Sequence, residues 1–156
     1  MKILVWNTRG LGSTQAFHVL RSFQQADHPN IVFLMETKAD KNLMESIHTR
    51  LGFNGKLVVE CEGSCGGLCM YWTNLVDVNL FSFSRYHVDV KVLSHSGFTW
   101  RFTGFYGHPE VSQRHHAWTL LRRLHSRSDL PWLCAGDFNE ILEDSEKQGG
   151  IRRPRI

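Results

Sequence analysis

The sequence predicts a mixed α/β sandwich in which helices cover the outer faces of β-sheets. Three observations lead to this fold class: two strand–helix pairs open the chain, consecutive strands fill its middle, and a helix followed by one apolar strand comes next. The hydrophobic period changes from about 3.6 to about 2 residues near Lys56, where helices give way to strands. At 156 residues, 42% of them hydrophobic and 21% charged, the chain is long enough to bury one core.

Both opening strand–helix pairs have clear start and stop signals. The predicted strands cover residues 2–6 and 30–35, which are short and apolar. Ser13 and Asp40 are placed to cap the two helices, and Gly52 ends the second. Each helix has an apolar face that can pack on a sheet. The members of these faces are Phe17, Leu20 and Phe23 in the first helix and Leu43, Ile47 and Leu51 in the second.

The middle of the chain has the pattern of antiparallel strands with one buried face. Predicted strands cover residues 57–59, 68–72, 76–83, 88–92 and 98–106. In the fourth of these, valines alternate strictly with Asp89 and Lys91, and a turn at residues 95–97 follows. On the fifth we expect one face to carry Phe98, Trp100, Phe102 and Tyr106.

The last predicted elements are a helix and a buried strand. The helix covers about residues 112–125; we expect it to bury Trp118, Leu121 and Leu124 and to expose Arg122, Arg123 and Arg127. Pro131 opens the apolar strand, and Gly136 ends it. We expect residues 1–156 to form a single domain in which about 143–156 are a flexible polar tail.

Composition restricts the class of protein further. A net charge of +3 permits nucleic-acid binding without demanding it. No apolar run reaches the length of a membrane span, and the start lacks a signal-peptide cleavage site, so we expect an intracellular protein of the nucleus or cytoplasm. The spacing of Cys61, Cys65 and Cys69 could indicate zinc, but it lacks the paired arrangement of zinc sites. Free thiols are the favoured interpretation, and they include Cys134.

Polar residues follow several apolar strands at the point where each strand ends. Asn7, Glu36 and Asp137 end three strands, Asn139 lies two positions beyond Asp137, and Tyr106 ends a fourth strand. Taken singly, each is explained by a turn, because Asn, Asp and Gly favour turns. Taken together, they indicate a shared rim at the carboxyl ends of the strands.

The residue types at this rim suit phosphate chemistry. An acidic side chain there can bind a hard cation such as Mg²⁺, which takes carboxylate oxygens and keeps several waters. Such a cation polarises a phosphoryl oxygen. Asn7, Asn139 and Tyr106 can donate hydrogen bonds to phosphate oxygens without adding repulsive charge.

These residues lie in five motifs that resemble a known superfamily when taken in order. The motifs are Trp6–Gly12, Leu34–Lys38, Gly66–Leu68, Gly104–Gly107 and Gly136–Asn139. Together they resemble the endonuclease/exonuclease/phosphatase superfamily, which has the DNase-I-like fold. The opening motif, the Gly-Gly-Leu strand and the Leu-Pro-Trp-Leu-Cys-Ala-Gly-Asp-Phe-Asn block are most similar to plant endonuclease domains. Those domains accompany the reverse transcriptases of LINE-type (non-LTR) retrotransposons.

The resemblance implies a four-layer fold, with two mixed β-sheets face to face and helices outside. It also implies metal-dependent cleavage of phosphodiesters or phosphate esters, with DNA as the partner of the ancestral domain. It assigns Glu36 to hold Mg²⁺ or Mn²⁺ and Asn7 to position its surroundings and bind substrate. Tyr106 would contact the scissile phosphate. Asp137 would handle protons around the attacking water or leaving oxygen, and Asn139 would assist orientation and substrate binding.

The sequence departs from the superfamily pattern in two places. Some members carry an acidic residue where this chain has Arg9, although retrotransposon-like relatives often have arginine there. The superfamily also completes its site with a later Ser-Asp-His block, which is not found before Ile156. We therefore expect a C-terminally truncated domain with an incomplete second sheet. Two hypotheses stay open: a weak or inactive nuclease-like domain, and a non-catalytic remnant that binds nucleic acid or a protein partner.

Overall fold

A computed structural model of the chain describes residues 1–63, 66–141, 144–146 and 148–149. Within these residues the chain forms eight β-strands: β1 (Ile3–Asn7), β2 (Ile31–Met35), β3 (Gly55–Val59), β4 (Leu68–Trp72), β5 (Val76–Ser84), β6 (His87–Ser94), β7 (Thr99–Tyr106) and β8 (Trp132–Asp137). The α-helices described are α1 (Thr14–Asp27), α2 (Lys41–Leu51) and α3 (Arg114–His125), with short 3-10 helices at Val111–Gln113 and Asp144–Glu146.

The described strands form two mixed four-stranded sheets, which confirms the predicted fold class. The first sheet has the order β1-β2-β4-β3, and the second has the order β5-β6-β7-β8. In each sheet one pair of strands is parallel, β1 with β2 and β7 with β8, and the other pairs are antiparallel. Because parallel strands end at the same side of a sheet, each sheet brings two carboxyl ends together.

Apolar side chains from both sheets meet in a core that lies between them. Phe33 of β2 and Phe102 of β7 are fully buried, and their rings pack edge to face with centroids 6.3 Å apart. Gly104 sits opposite Phe33, where an added Cβ would collide with the ring. The two sheets therefore pack face to face at close range.

Helices cover the outer faces, as the amphipathic patterns predict. On the first sheet, Leu20 of α1 and Met44 of α2 are fully buried in a second core. Ser13 accepts a hydrogen bond from Ala16 N and caps α1, Asp40 caps α2 in the same way, and Gly52 ends α2 at φ 73°. The two caps and the terminating glycine are thus confirmed. None of the helices in the described ranges is both long and apolar enough to span a bilayer.

A buried polar network joins α3 to the outer face of the second sheet. Arg101 on β7 and Asp89 on β6 form a fully buried bidentate ion pair, with both N–O distances at 2.8 Å. Arg101 also donates to the Leu124 carbonyl of α3 at 2.6 Å. Thr103 donates to Asp89 at 2.7 Å and accepts from the Trp132 indole at 2.8 Å. This network ties β6, β7, β8 and α3 into one unit.

Some details of the predicted packing are wrong. Strand β7 begins at Thr99, so Phe98 lies before the strand and is 55% exposed. In α3, Leu124 is buried, but Trp118 and Leu121 are only half-buried. Phe23 is 39% exposed, although its ring meets Trp6 of β1 edge-on.

The half-burial of Leu121 has a visible cause. Leu121 lines an open groove of about 420 Å³ between α3 and β8, together with Trp132, Cys134 and Phe138. Within the described ranges β8 is hydrogen-bonded to β7 and to no strand on its other side. Leu133 on the opposite face of β8 is 44% exposed. The apolar surface of β8 is therefore only partly covered on both faces.

Two predictions fall largely on residues outside the described ranges. The expected tail at about 143–156 is described only at residues 144–146 and 148–149, and it stays a prediction. Cys65 is also outside the described ranges. Cys61, Cys69 and Cys134 are free thiols, and burial raises the pKa of Cys134 to about 12. Cys134 therefore stays a neutral thiol at physiological pH.

Candidate active site

The carboxyl ends of four strands meet at one edge of the sandwich. Asn7 ends β1 and Asp137 ends β8, and Tyr106 is the partner of Asp137 in the register of the parallel pair β7–β8. Glu36 follows directly after β2. Strands β1 and β2 face β8 across the sandwich, so the two parallel pairs place their last residues side by side.

Asn7 connects the two carboxylates of the site. Its Nδ2 donates to Glu36 Oε1 and to Asp137 Oδ2, each at 2.9 Å. Its Oδ1 accepts from the backbone N–H of Arg9 at 3.1 Å, which fixes the orientation of the amide. One side chain from β1 thus holds a carboxylate of each sheet at a set position.

Tyr106 binds the same oxygen of Glu36. Its hydroxyl donates to Glu36 Oε1 at 2.9 Å. Burial, together with the hydrogen bond to Glu36 and the charge of that group, raises the pKa of Tyr106 well above its usual value. Tyr106 therefore stays a neutral hydroxyl that can donate a hydrogen bond.

Glu36 is ionised at neutral pH. Partial burial raises its pKa, but hydrogen bonds from Asn7 and Tyr106 and the charge of Lys38 outweigh the burial, and the net pKa is lowered. The Lys38 ammonium lies 3.5 Å from Glu36 Oε2, the oxygen that Asn7 and Tyr106 do not use. The Glu36 carboxylate thus faces donors on one oxygen and a cation on the other.

The backbone at Glu36 has an unusual conformation for a non-glycine residue. Its φ is 49°, in the left-handed region, and Lys38 has φ 47°. The hydroxyl of Thr8 stabilises this turn by contacting the carbonyls of Met35 and Glu36, both at 3.1 Å. Left-handed non-glycine residues held by neighbouring groups are concentrated at functional sites.

Asn139 positions Asp137 and the loop that follows it. Its backbone N–H donates to Asp137 Oδ1 at 2.9 Å, and its Nδ2 donates to the Gly107 carbonyl at 2.8 Å. Asn139 has φ 51°, which asparagine tolerates better than most residues. At Gly107 an added Cβ would collide with the Phe138 carbonyl, so the loops after β7 and β8 touch through their backbones.

All five predicted site residues are thus brought together at one edge, and their chemical roles stay predictions. Two further residues, Thr8 and Lys38, contact Glu36 without having been predicted as site residues. For Lys38 a signal existed, because it belongs to the Leu34–Lys38 motif and lies two residues after Glu36. For Thr8 the signal was weaker, since a threonine after a strand is common in turns.

The donor set fits a water-rich divalent cation. Glu36 Oε2 carries lone pairs that Asn7 and Tyr106 leave unused, and Asp137 lies on the other side of the Asn7 amide. Mg²⁺ commonly binds through one or two carboxylates and keeps several waters. Among the described residues no group of three or more His, Cys, Asp or Glu side chains is arranged to hold a metal. Within the described part of the chain, Glu36 would be its one direct ligand.

No described histidine hydrogen-bonds to either carboxylate. His108 is near the site in sequence, but its Nδ1 accepts from the Glu110 N–H at 3.2 Å and its ring packs against Tyr86 with centroids 5.2 Å apart. The described residues therefore supply carboxylates, amides and a phenol to the site, and no imidazole.

The fold is similar to that of solved proteins. An AP endonuclease from Archaeoglobus fulgidus aligns with a TM-score of 0.69 at 16% identity, over 96% of this chain and 61% of its own. A 3′ phosphatase from Neisseria, bound to product DNA hairpin, aligns with a TM-score of 0.63 at 18% identity, over 94% and 60%. The endonuclease domain of TRAS1, a telomere-specific non-LTR retrotransposon, aligns with a TM-score of 0.63 at 14% identity, over 90% and 61%.

This chain thus spans about three fifths of the length of these solved proteins. At these identities the likeness concerns the fold. No curated protein matches the chain in sequence. The model of the Endonuclease/Exonuclease/phosphatase family matches residues 4–155. With its two mixed sheets and the rim that joins their parallel pairs, the chain belongs to the endonuclease/exonuclease/phosphatase family, whose members are nucleases and phosphatases.

Proposed function

We propose that this chain is a divalent-metal-dependent phosphodiester hydrolase domain that acts on DNA. The observation that carries the proposal is the bridge from Glu36 through Asn7 to Asp137, which sets two carboxylates on either side of one amide. A bound Mg²⁺ or Mn²⁺ would supply Lewis-acid polarisation of a phosphoryl oxygen at Glu36. The family to which the chain belongs and the DNA bound to the Neisseria phosphatase support this substrate class.

The protein groups divide the remaining work. Asp137 accepts a proton from the attacking water or delivers one to the leaving oxygen, and Asn139 holds its Oδ1 in place. Tyr106, kept neutral by its surroundings, would donate to a phosphate oxygen by exchanging its hydrogen bond to Glu36. Asn7 keeps the two carboxylates at their separation. Both of its amide N–H groups are used for this, so a contact with substrate requires that one of these hydrogen bonds is exchanged. In this proposal the rate enhancement comes mainly from positioning the substrate and from neutralising the charge on its phosphate.

The proposal also includes the descent of this domain from a retroelement. It is supported by the similarity of the Trp6–Gly12 and Leu130–Asn139 segments to LINE-type endonuclease domains of plants. The fold of the TRAS1 endonuclease domain, which aligns over 90% of this chain, is consistent with it. Under this proposal the domain descends from an enzyme that cut DNA beside a reverse transcriptase.

The isolated chain has weak activity under this proposal. Phosphodiester cleavage needs the water activated and the phosphate charge neutralised together, and no described histidine contributes to either task. Sites whose members act as a unit lose on the order of 10³ to 10⁶ in rate when members are missing. The decisive experiment is nicking of supercoiled plasmid with Mn²⁺ by wild type, Glu36→Gln and Asp137→Asn. We expect slow nicking by the wild type and none by either variant.

Two results would redirect this assignment. Nicking that persists unchanged in Glu36→Gln and Asp137→Asn would show that the activity comes from elsewhere. The second candidate function, a non-catalytic remnant that binds nucleic acid or a protein partner, is favoured by the lack of a described histidine at the site. Plasmid binding without nicking at any Mn²⁺ concentration would favour that candidate. Glu62→Gln, which removes one negative charge at an exposed ion pair, serves as the charge-matched control.

A further inference from the structure

The two oxygens of Glu36 have different surroundings. Oε1 accepts two hydrogen bonds, from Asn7 Nδ2 and from the Tyr106 hydroxyl, both at 2.9 Å. In the part of the chain that the structure describes, Oε2 has one polar side chain beside it, the Lys38 ammonium at 3.5 Å. Because Oε1 has both of its lone-pair directions occupied, a cation that binds Glu36 must approach Oε2.

Lys38 is held where it can reach that oxygen. Its backbone N–H donates to the Gly66 carbonyl at 3.1 Å, and the preceding Thr37 N–H donates to Gly67 at 3.2 Å. The stem of Lys38 passes the loop after β1, since a Cβ added at Gly10 would lie 3.9 Å from Lys38 Cδ. The left-handed φ of Lys38 directs the chain through this turn. The backbone of Lys38 is therefore held in place beside the Glu36 carboxylate, although lysine side chains are usually mobile.

The contact between Lys38 and Glu36 is close but exchangeable. The Lys38 side chain is 40% exposed, whereas that of Glu36 is 19% exposed. Ion pairs with an exposed partner are weak, so the ammonium can leave the carboxylate at little cost. The carboxylate cannot leave, because Asn7 and Tyr106 hold it.

We propose that Lys38 is the resident counter-cation of Glu36 and that a divalent ion must displace it to bind. Lys38 then sets the metal affinity of the site: it occupies Oε2 in the metal-free protein, and its ammonium is released by the exchange. It is a positioning residue that acts through Glu36. This inference rests on the proposed metal role of Glu36 and adds to it the group that competes for the same oxygen.

The test measures Mn²⁺ binding directly, by the loss of the free-Mn²⁺ electron paramagnetic resonance signal. Lys38→Met removes the competing charge, and we expect the Kd for Mn²⁺ to fall about threefold to tenfold, since the displaced ammonium is a solvent-screened unit charge beside Glu36 Oε2. Lys38→Arg keeps the charge and should stay within about twofold of the wild type. Lys2→Met is the matched control, because Lys2 pairs with Asp27 at the other end of β1.

The outcomes separate this inference from the proposed function. If Glu36→Gln abolishes Mn²⁺ binding but Lys38→Met leaves the Kd unchanged or raises it, the counter-cation role is refuted and the metal role of Glu36 stands. If Glu36→Gln leaves Mn²⁺ binding intact, both are refuted. Should Lys38→Met fold poorly, Lys38→Asn removes the same charge with a residue that tolerates the left-handed backbone, and it must tighten binding in the same way.

Discussion

The buried ion pair beneath α3 gives the sharpest stability prediction. Replacing Arg101 with methionine leaves the Asp89 carboxylate buried without its cation, and both side chains are fully buried in the wild type. Removing one partner of a buried pair costs about 3 to 5 kcal/mol. The whole free energy of unfolding of a domain is about 5 to 15 kcal/mol, so Arg101→Met should remove about a fifth or more of it.

The double variant tests the cause. In Arg101→Met with Asp89→Leu no buried charge remains, and we expect unfolding within about 2 kcal/mol of the wild type. The remaining cost comes from the Leu124 carbonyl and the Thr103 hydroxyl, which lose partners at about 1 kcal/mol each. The single Arg101→Met variant should therefore be less stable than the double variant.

Urea unfolding followed by tryptophan fluorescence measures both variants, with Arg85→Met as the control. Arg85 forms an exposed ion pair with Glu62 at 3.1 Å, so its replacement should cost less than about 1 kcal/mol. If Arg101→Met also costs less than about 1 kcal/mol, or if the double variant is as unstable as the single one, the reasoning about buried charge is wrong.

Three further predictions concern the metal, the pH response and the edge strand. Mg²⁺ or Mn²⁺ should bind at Glu36 with a Kd of about 10⁻³ M, typical of weak oxygen-ligand sites; NMR shifts that persist in Glu36→Gln would contradict it. Burial lowers the pKa of His87 below 6.5 despite the opposing charge of Asp89. As the pH falls, the unfolded chain therefore binds a proton at His87 before the folded chain does. The stability that neutral His87 contributes is full above pH 6.5 and is lost as the pH falls through the lowered pKa. If the Tm of His87→Gln falls with pH as much as the Tm of the wild type, this prediction is refuted. The partly covered apolar surface of β8 should give a Tm below about 65 °C and a tendency to aggregate. Leu133→Lys should then reduce light scattering on heating. Unchanged light scattering in this variant would argue against β8 as the cause of aggregation.

Much of the fold could be predicted because its signals are local. Ser13, Asp40 and Gly52 act within one helical turn, and the alternation of Val88, Val90 and Val92 needs only the pleat of one strand. The site residues could be placed together because each follows a strand, and parallel neighbours end at the same edge. For these features sequence and structure agree without long-range information.

Other features depend on neighbours that the sequence does not display. The exposure of Phe98 depends on where the hairpin between β6 and β7 pairs, and the half-burial of Leu121 depends on what lies beside β8. The contact of Lys38 with Glu36 arises from two left-handed residues and a turn held by Gly66 and Gly67, which no periodicity reveals.

The bridge at Asn7 has a consequence for the order of folding. Asn7 and Asp137 are separated by 130 residues, from the first strand to the last one described. Contacts of such long sequence separation form late, because the intervening chain must first be ordered. During synthesis Asn7 and Glu36 leave the ribosome long before Asp137, so the nascent chain carries half of the site without the other half. The two hydrogen bonds of the Asn7 side-chain amide therefore form together only when the two sheets have packed on each other. Hydrogen exchange of this side-chain amide should follow global unfolding of the domain.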